Sequence, residues 1–369
     1  MNIEFIPTNK IEDFESALQS IQKSAKSILI LSCDENRYDL EAMKNILSRC
    51  SVPIIGGIFP QIIYKNFNYS LGTLIIALDE TLEVSVVENL SQSSLLTLDE
   101  MIEDKIGVLD EEIKSMFIFV DGLSKNINSI ILTLFENFGL SINYIGGGAG
   151  SLSFQQKPCL FSNSGLLEDA VMLAISRRES AIGVKHGWEP VSDSYRVTEA
   201  DANHIIELDY KPALEVYKEV VEALQDERIT KENFFDIAKA YPLGINKLSG
   251  EMVVRDPIMI DAERLICVGD ISTNSFVSIL HGSNESLINA AREAKKDAFL
   301  DKKHFTLFID CISRTLFMGD SFHQELDAIF DDNIYFVGAL TLGEIANNKK
   351  HYLEFYNKTA VIANIELKS

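Results

Sequence analysis

Three times along this chain, an apolar run ending in polar residues leads into an amphipathic segment and then into a second apolar run marked by glycine. The first copy reads SILILSCDE, YDLEAMKNILSRC and VPIIGGIFP; the second SMFIFVDGLS, NSIILTLFENFG and INYIGGGAG; the third FTLFIDCISR, FHQELDAIF and IYFVGALTLGE. Leu40, Met43 and Leu47, then Ile131, Leu134, Phe135 and Phe138, then Phe322, Leu326, Ile329 and Phe330 each share one helical face. Cys33 precedes Gly56 by 23 residues, Gly122 precedes Gly146 by 24, and Cys311 precedes Gly338 by 27. Each copy therefore has the length of a βαβ unit, because parallel strands need a crossover of a dozen or more residues.

The stretch after each glycine segment also repeats. YSLGTLIIALDETLEVSVV, PCLFSNSGLLEDAVMLAIS and HYLEFYNKTAVIANIEL are pairs of extended runs that predict hairpins. The expected fold class is α/β, with mixed sheets built from repeated β-α-β units, glycine turns at strand ends, and two closely packed halves. Ile11, Phe14, Leu18 and Ile21 predict an N-terminal helix within residues 1–23. Between the second and third copies the pattern changes to a helix through Ala213, Tyr217, Val220 and Leu224, then to strand-like runs such as EMVVRDPIMID. A boundary near Leu208–Pro212 divides an α/β domain over 24–210 from a second over 211–369.

Acidic residues outnumber basic ones 55 to 33, a formal net charge of −22. That balance repels phosphate backbones and anionic lipid surfaces, and no basic stripe offsets it, so nucleic acid and membrane surfaces are excluded as expected partners. Cys33, Cys50, Cys159, Cys267 and Cys311 are scattered without a C-x-x-C, which fits a reduced thiol set. No apolar run approaches the ~20 residues of a membrane helix, so no membrane insertion is expected. With an acidic N-terminus lacking a signal-peptide core, the expectation is a cytoplasmic protein.

The run YIGGGAGS at 144–151 invites a phosphate-binding reading. Gly146 and Gly148 fit the dinucleotide fingerprint, but Ser151 stands at its third position and the residues after it carry Pro158 and no helical period. There is no G-x-x-x-x-G-K-[ST], H-E-x-x-H or G-x-S-x-G, and the six histidines are dispersed. These features give no case for an enzyme.

Parallel strands open their C-terminal ends onto one edge, where α/β sheets bind ligands. That places Asp310, Cys311 and Arg314 near Gly343 and Glu344, and Asp121 and Ser124 near Gly146–Gly150, whose Gly147 and Gly148 can offer main-chain groups to a ligand. Arg314 can fork onto a carboxylate and Glu344 can receive an ammonium, as an amino acid would require; alternatively the two bridge each other. The pair Arg255 and Asp256 interrupts a strand-like run, marking either an exposed edge or a site. Cys311 is either a buried strand cysteine or a reactive thiol, the latter implying an enzyme in the same cleft.

The order YIGGGAGS, VKHGWEPV, YRVTEA and ELDYKPALEVY resembles the N-terminal half of the FIST sensory module. YPLGI, VVRDP, FIDCISR, Glu325, FVGALTLGEI and FYNKTAV resemble its C-terminal half. The likeness runs from about Ser24 to the end. It implies a ligand-sensing protein that is not an enzyme, taking a small ligand such as an amino acid. No output module accompanies these halves, so a stand-alone sensor signalling through a partner such as a histidine kinase or cyclase is expected. Some stand-alone members are haem proteins that sense nitric oxide, and for that alternative His186 and His281 are the candidate axial ligands.

Overall fold

The computed structural model describes residues 1–247, 250–347 and 352–368. His351, one of the six histidines, lies outside them. All three repeats form parallel pairs: Ser27–Cys33 with Ile54–Phe59, Ser115–Asp121 with Asn143–Ala149, and His304–Cys311 with Tyr335–Thr341. Helix Leu40–Leu47 crosses over in the first unit and Ile127–Phe138 in the second. In the third unit the strand stops at Cys311, and two helices, Ile312–Met318 and Phe322–Ile329, make the crossing. The apolar stripes face the sheets in large part: Ile127, Ile130, Ile131, Leu134 and Phe138 are all buried, as are Met43 and Leu47, whereas Leu40 at the start of its helix is exposed. Each buried side chain contributes roughly 1.5–3 kcal/mol of burial.

The units also share an antiparallel partner. Thr73–Leu78, Ala170–Ser176 and Ala360–Glu366 each lie beside the first strand of their own pair. Beyond this the chain trades strands in a cycle. The hairpin after the first unit, Gln61–Tyr64 and Phe67–Tyr69, completes the third unit's sheet. The hairpin after the second, Leu160–Ser162 and Gly165–Leu167, completes the first; Glu344–Ala346 and Glu354–Tyr356 complete the second. At the other edge, Glu83–Glu88 passes from the first unit to the second and Ser180–Lys185 from the second to the third. The N-terminal strand Asn2–Ile6 takes the matching place in the first. Three six-stranded sheets of equivalent order thus surround a pseudo-three-fold axis. The segment expected only as an N-terminal helix begins with that edge strand before its helix Ile11–Ile21.

Residues 189–281 form an insertion between the second and third units. Its strands Glu189–Asp201, Phe276–His281, Leu243–Asn246, Met252–Asp261, Arg264–Val268 and His204–Leu208 pair in that order, and Glu189–Asp201 pairs again with His204–Leu208, so the sheet closes into a ring. Lys211–Pro212 adds a short seventh strand. The ring crosses the Leu208–Pro212 boundary, and Gln61–Tyr64 sits in the third unit's sheet, so the two halves interleave through shared sheets.

Glycine marks both the turns beyond the strands, as at Gly150 and Gly343, and equivalent points inside the second strands. A Cβ on Gly56, Gly146 or Gly338 would lie 1.9, 1.7 or 2.1 Å from the carbonyl oxygen of Ile30, Ile118 or Phe308. The neighbouring strands approach too closely there for any side chain. Gly146→Ala is expected to destabilise the fold at or beyond the upper end of the ~1–3 kcal/mol typical of overpacking. In denaturant titration, Gly139→Ala, whose Cβ meets nothing within 4 Å, should cost only the strain of its positive φ, on the order of 1 kcal/mol.

Candidate functional site

The closed insertion sits over the strand ends of the second and third units and leaves a cavity of about 520 Å³ between them. From the second unit come the Gly122–Asn128 segment and, in the loop after Asn143–Ala149, Leu152 and Phe154. The third unit supplies Cys311, Ile312, Ser313, Leu316 and Leu342. The insertion contributes Asp256, Ile258 and the Cys267–Asp270 edge, and Phe355 and Asn357 close the floor. The lining is more apolar than polar, and Asp256, Ser313 and Asn357 are the polar groups of its floor beside Phe355, the pattern of small-molecule sites.

Beneath the floor lies a fully buried ionic cluster. The Arg314 guanidinium donates to both Glu325 oxygens at 2.8 Å, faces Asp310 Oδ1 at 3.0 Å, and donates to the carbonyls of His186 and Leu287 at 2.7 and 3.1 Å. Glu344 accepts from the Thr341 hydroxyl at 2.9 Å and from the Thr359 N–H at 3.2 Å, with the Cys311 thiol beside it. Lys358 Nζ lies 3.2 Å from Asp256 Oδ1 and donates to the Lys239 carbonyl at 2.9 Å. Asp256 Oδ2 accepts from the Ser313 hydroxyl at 2.5 Å. Four acids here share two cations, so charge is disfavoured. Burial pushes Glu344 up to about 8 against the two bonds it accepts from Thr341 and Thr359. Asp310 is driven well above the carboxylate range by burial, then by repulsion from Glu325, with Arg314 opposing.

Cys311 faces the cavity but is no ready nucleophile: burial, then the nearby Glu344 and Asp256, raise its thiol well above the ordinary value, against a Lys358 N–H directed at the sulfur. The pseudo-equivalent strand positions hold Cys33 and Asp121. Asp121 is buried and accepts from the N–H groups of Leu123 and Asp169 and from the Gln156 amide. The concentrated charge belongs to the third unit alone among the three.

Family models match the chain at both halves, the FIST N domain over residues 27–211 and the FIST C domain over 213–347. The chain belongs to the FIST family. FIST domains are sensory domains of signal transduction. Uncharacterized protein MJ1623 of Methanocaldococcus jannaschii is 23% identical to this FIST chain over 342 residues, covering 85% of the chain. The chain spans 64% of that relative's length.

Of the residues singled out in the sequence, the fold brings Cys311, Asp256 and Ser124 onto the cavity. Arg314 and Glu344 lie behind it and do not bridge each other; their partners are Asp310 and Glu325 for one, Thr341 and Thr359 for the other. Arg255 sits on an internal strand paired on both sides, not an edge, and donates to the carbonyls of Asp270, Val254 and Phe355. Gly147 pairs in the ladder with Glu344, and Gly148 exchanges backbone bonds with Leu342 and Gly343, so both serve the join between sheets.

The two histidines lie apart. His186 Nδ1 accepts from the Trp188 N–H, and burial first, then Arg314, lower its pKa to about 4. It borders a second cavity whose rim carries Glu189, Glu251, Glu285 and Glu293. His281 is exposed, stacked on Tyr241, with Nδ1 against the Ala240 carbonyl. An acidic groove and an exposed ring do not supply the apolar slot that a haem macrocycle needs, so these residues do not fit the group. Sequence reasoning missed Ser313, Asn357 and Lys358; the one available signal was the polar triplet NKT directly before the apolar strand AVIANIE.

Arg314→Ala should cost about 3–5 kcal/mol in chemical denaturation, because it strands Asp310 and Glu325 without a counter-charge. Glu344 has the opposite signature of an ordinary carboxylate. Its folded pKa of about 8 exceeds the reference 4.5, so unfolding above pH 4.5 releases a proton. Its stabilising contribution is complete below that reference and is lost as pH rises through about 8. The melting temperature should therefore fall across that window, and Glu344→Gln should flatten the decline.

Proposed function

We propose that this FIST protein is a sensor whose small ligand occupies the cavity between the second unit, the third unit and the closed insertion. The observation that carries this reading is the cavity's construction: apolar walls from three separate parts of the fold converge on a buried polar floor held by an ionic cluster. Expensive buried charge at a site with no ready nucleophile suits recognition better than turnover. A ligand there touches the segments Gly122–Asn128, Ile312–Leu316 and Cys267–Asp270 together. Its binding energy can set how the insertion sits on the three-sheet core, and a partner protein such as a histidine kinase or cyclase would read that position. A cytoplasmic setting fits the unpaired, buried cysteines. An amino acid held through Arg314 is disfavoured, because that guanidinium is consumed internally.

Thermal shift against a panel of amino acids, their amides and other small metabolites tests the reading. A ligand at 100 times its Kd adds ~2.7 kcal/mol. Leu316→Trp, which fills the cavity from a half-buried position, should abolish any such shift while the protein stays folded. A shift that survives Leu316→Trp would place the ligand elsewhere.

A further inference from the structure

We propose that Asn357 is the recognition residue of this cavity, and that it selects ligands presenting a hydrogen-bond donor and acceptor side by side, as a primary carboxamide or lactam does, on a small apolar body. The inference rests on the cavity being the ligand site and names the chemistry it takes.

Asn357 is 1% exposed and borders the cavity, yet neither its Nδ2 nor its Oδ1, both buried atoms, has a hydrogen-bond partner among the described residues, so a ligand engages the amide by turning the side chain toward the cavity. Buried amides left unsatisfied are costly, and native proteins seldom keep one without a use. Its polar neighbours are committed elsewhere. Asp256 is taken by Ser313 and Lys358, Lys358 by Asp256 and the Lys239 carbonyl, and the Thr359 hydroxyl by the Asn357 main-chain carbonyl. The side-chain amide is therefore the unspent recognition group of the floor.

A carboxamide offers N–H and C=O in one plane, and its complement is another donor–acceptor edge with both groups on the same side. Primary carboxamides and lactams have this edge; carboxylates, phosphates and esters lack the donor. Charge argues the same way. Among the described residues the cavity's one lysine, Lys125, is exposed at the mouth beside exposed Asp201 and Asp270, and the inner Lys358 and Arg314 are both paired. An anion would meet no free lysine or arginine among the described residues inside, and the half-buried His204 is the lining's one imidazole. Ile312, Leu316, Leu342 and Phe355 supply the apolar surface for the rest of the ligand. A nucleobase carries a similar edge, so the test must separate the two sources.

The experiment measures ligand-observed NMR binding of benzamide, ε-caprolactam, methyl benzoate, benzoate, uracil and adenine to the full chain, wild type and Asn357→Leu. Leucine removes the orphaned amide at similar volume, so the variant should melt no lower than wild type, which makes folding a built-in control. Benzamide and caprolactam are expected to bind, with the ester and benzoate weaker by at least about tenfold, and Asn357→Leu should lose the amides by a similar factor. Binding of uracil or adenine alone, lost in Asn357→Leu, would support the edge but overturn the carboxamide class. Equal binding of amide and ester, or amide binding that survives Asn357→Leu yet is lost in Leu316→Trp, would overturn the role of Asn357 and leave the cavity as the ligand site. No binding by any probe would overturn the proposed class, while the metabolite panel with Leu316→Trp decides separately whether the cavity binds a ligand.

Discussion

Gly148 and the Leu342–Gly343 turn exchange two backbone hydrogen bonds, Gly148 N–H to the Gly343 carbonyl at 2.8 Å and Leu342 N–H to the Gly148 carbonyl at 2.9 Å. A third, from Gly150 N–H to the Ile58 carbonyl at 2.8 Å, ties the second unit to the first. The approach leaves little room for side chains: a Cβ on Gly147 would sit 2.9 Å from the Gly343 carbonyl oxygen, and one on Gly148 3.1 Å from the Gly122 Cα. The rest of the core depends on that join. Each chain segment leaving a second strand passes close to the axis and completes the next sheet, so no unit buries its own edge without another. Interleaving of this kind makes the three-sheet core cooperative and leaves the insertion as the part attached from outside.

The third unit differs from its two counterparts in the charge it buries. Position for position, Glu344 corresponds to Ile62 and Leu160, each standing opposite the residue that follows the marking glycine Gly146, Gly338 or Gly56. Two units thus complete this junction with apolar side chains, and the third with carboxylates, an arginine and a lysine. Buried ion clusters are weak contributors to net stability but fix geometry, because each member has few arrangements that leave no charge uncompensated. Here the cluster sets the Cys311–Ser313 turn and the Asn357–Thr359 segment at the cavity floor.

Much of the core was readable from the chain. Continuous apolar runs in the strands and helical spacing between them recur with glycine at matched distances, and the parallel pairs appear where those patterns put them. The exchange of hairpins was not readable: Gln61–Tyr64 pairs with residues more than 270 positions away, and nothing local encodes which sheet receives it. The candidate site shows the same division. Strand-end logic brought Cys311 and Ser124 to the cavity, but it fixes an edge and not a direction, and Arg314 one helical turn beyond Asp310 points into the core. Asn357 escaped notice because an asparagine beside a lysine reads as an ordinary turn; only the surrounding burial gives it meaning.

Of the three equivalent strand ends, those of the second and third units open onto a cavity that a small molecule can enter, and among the described residues that of the first does not. Native-state modification by a small neutral thiol reagent, mapped peptide by peptide, tests that difference most directly, because Cys33 and Cys311 occupy the same position in two units and are both buried. Cys311 should be modified well ahead of Cys33. Equal rates, or Cys33 reacting first, would contradict it.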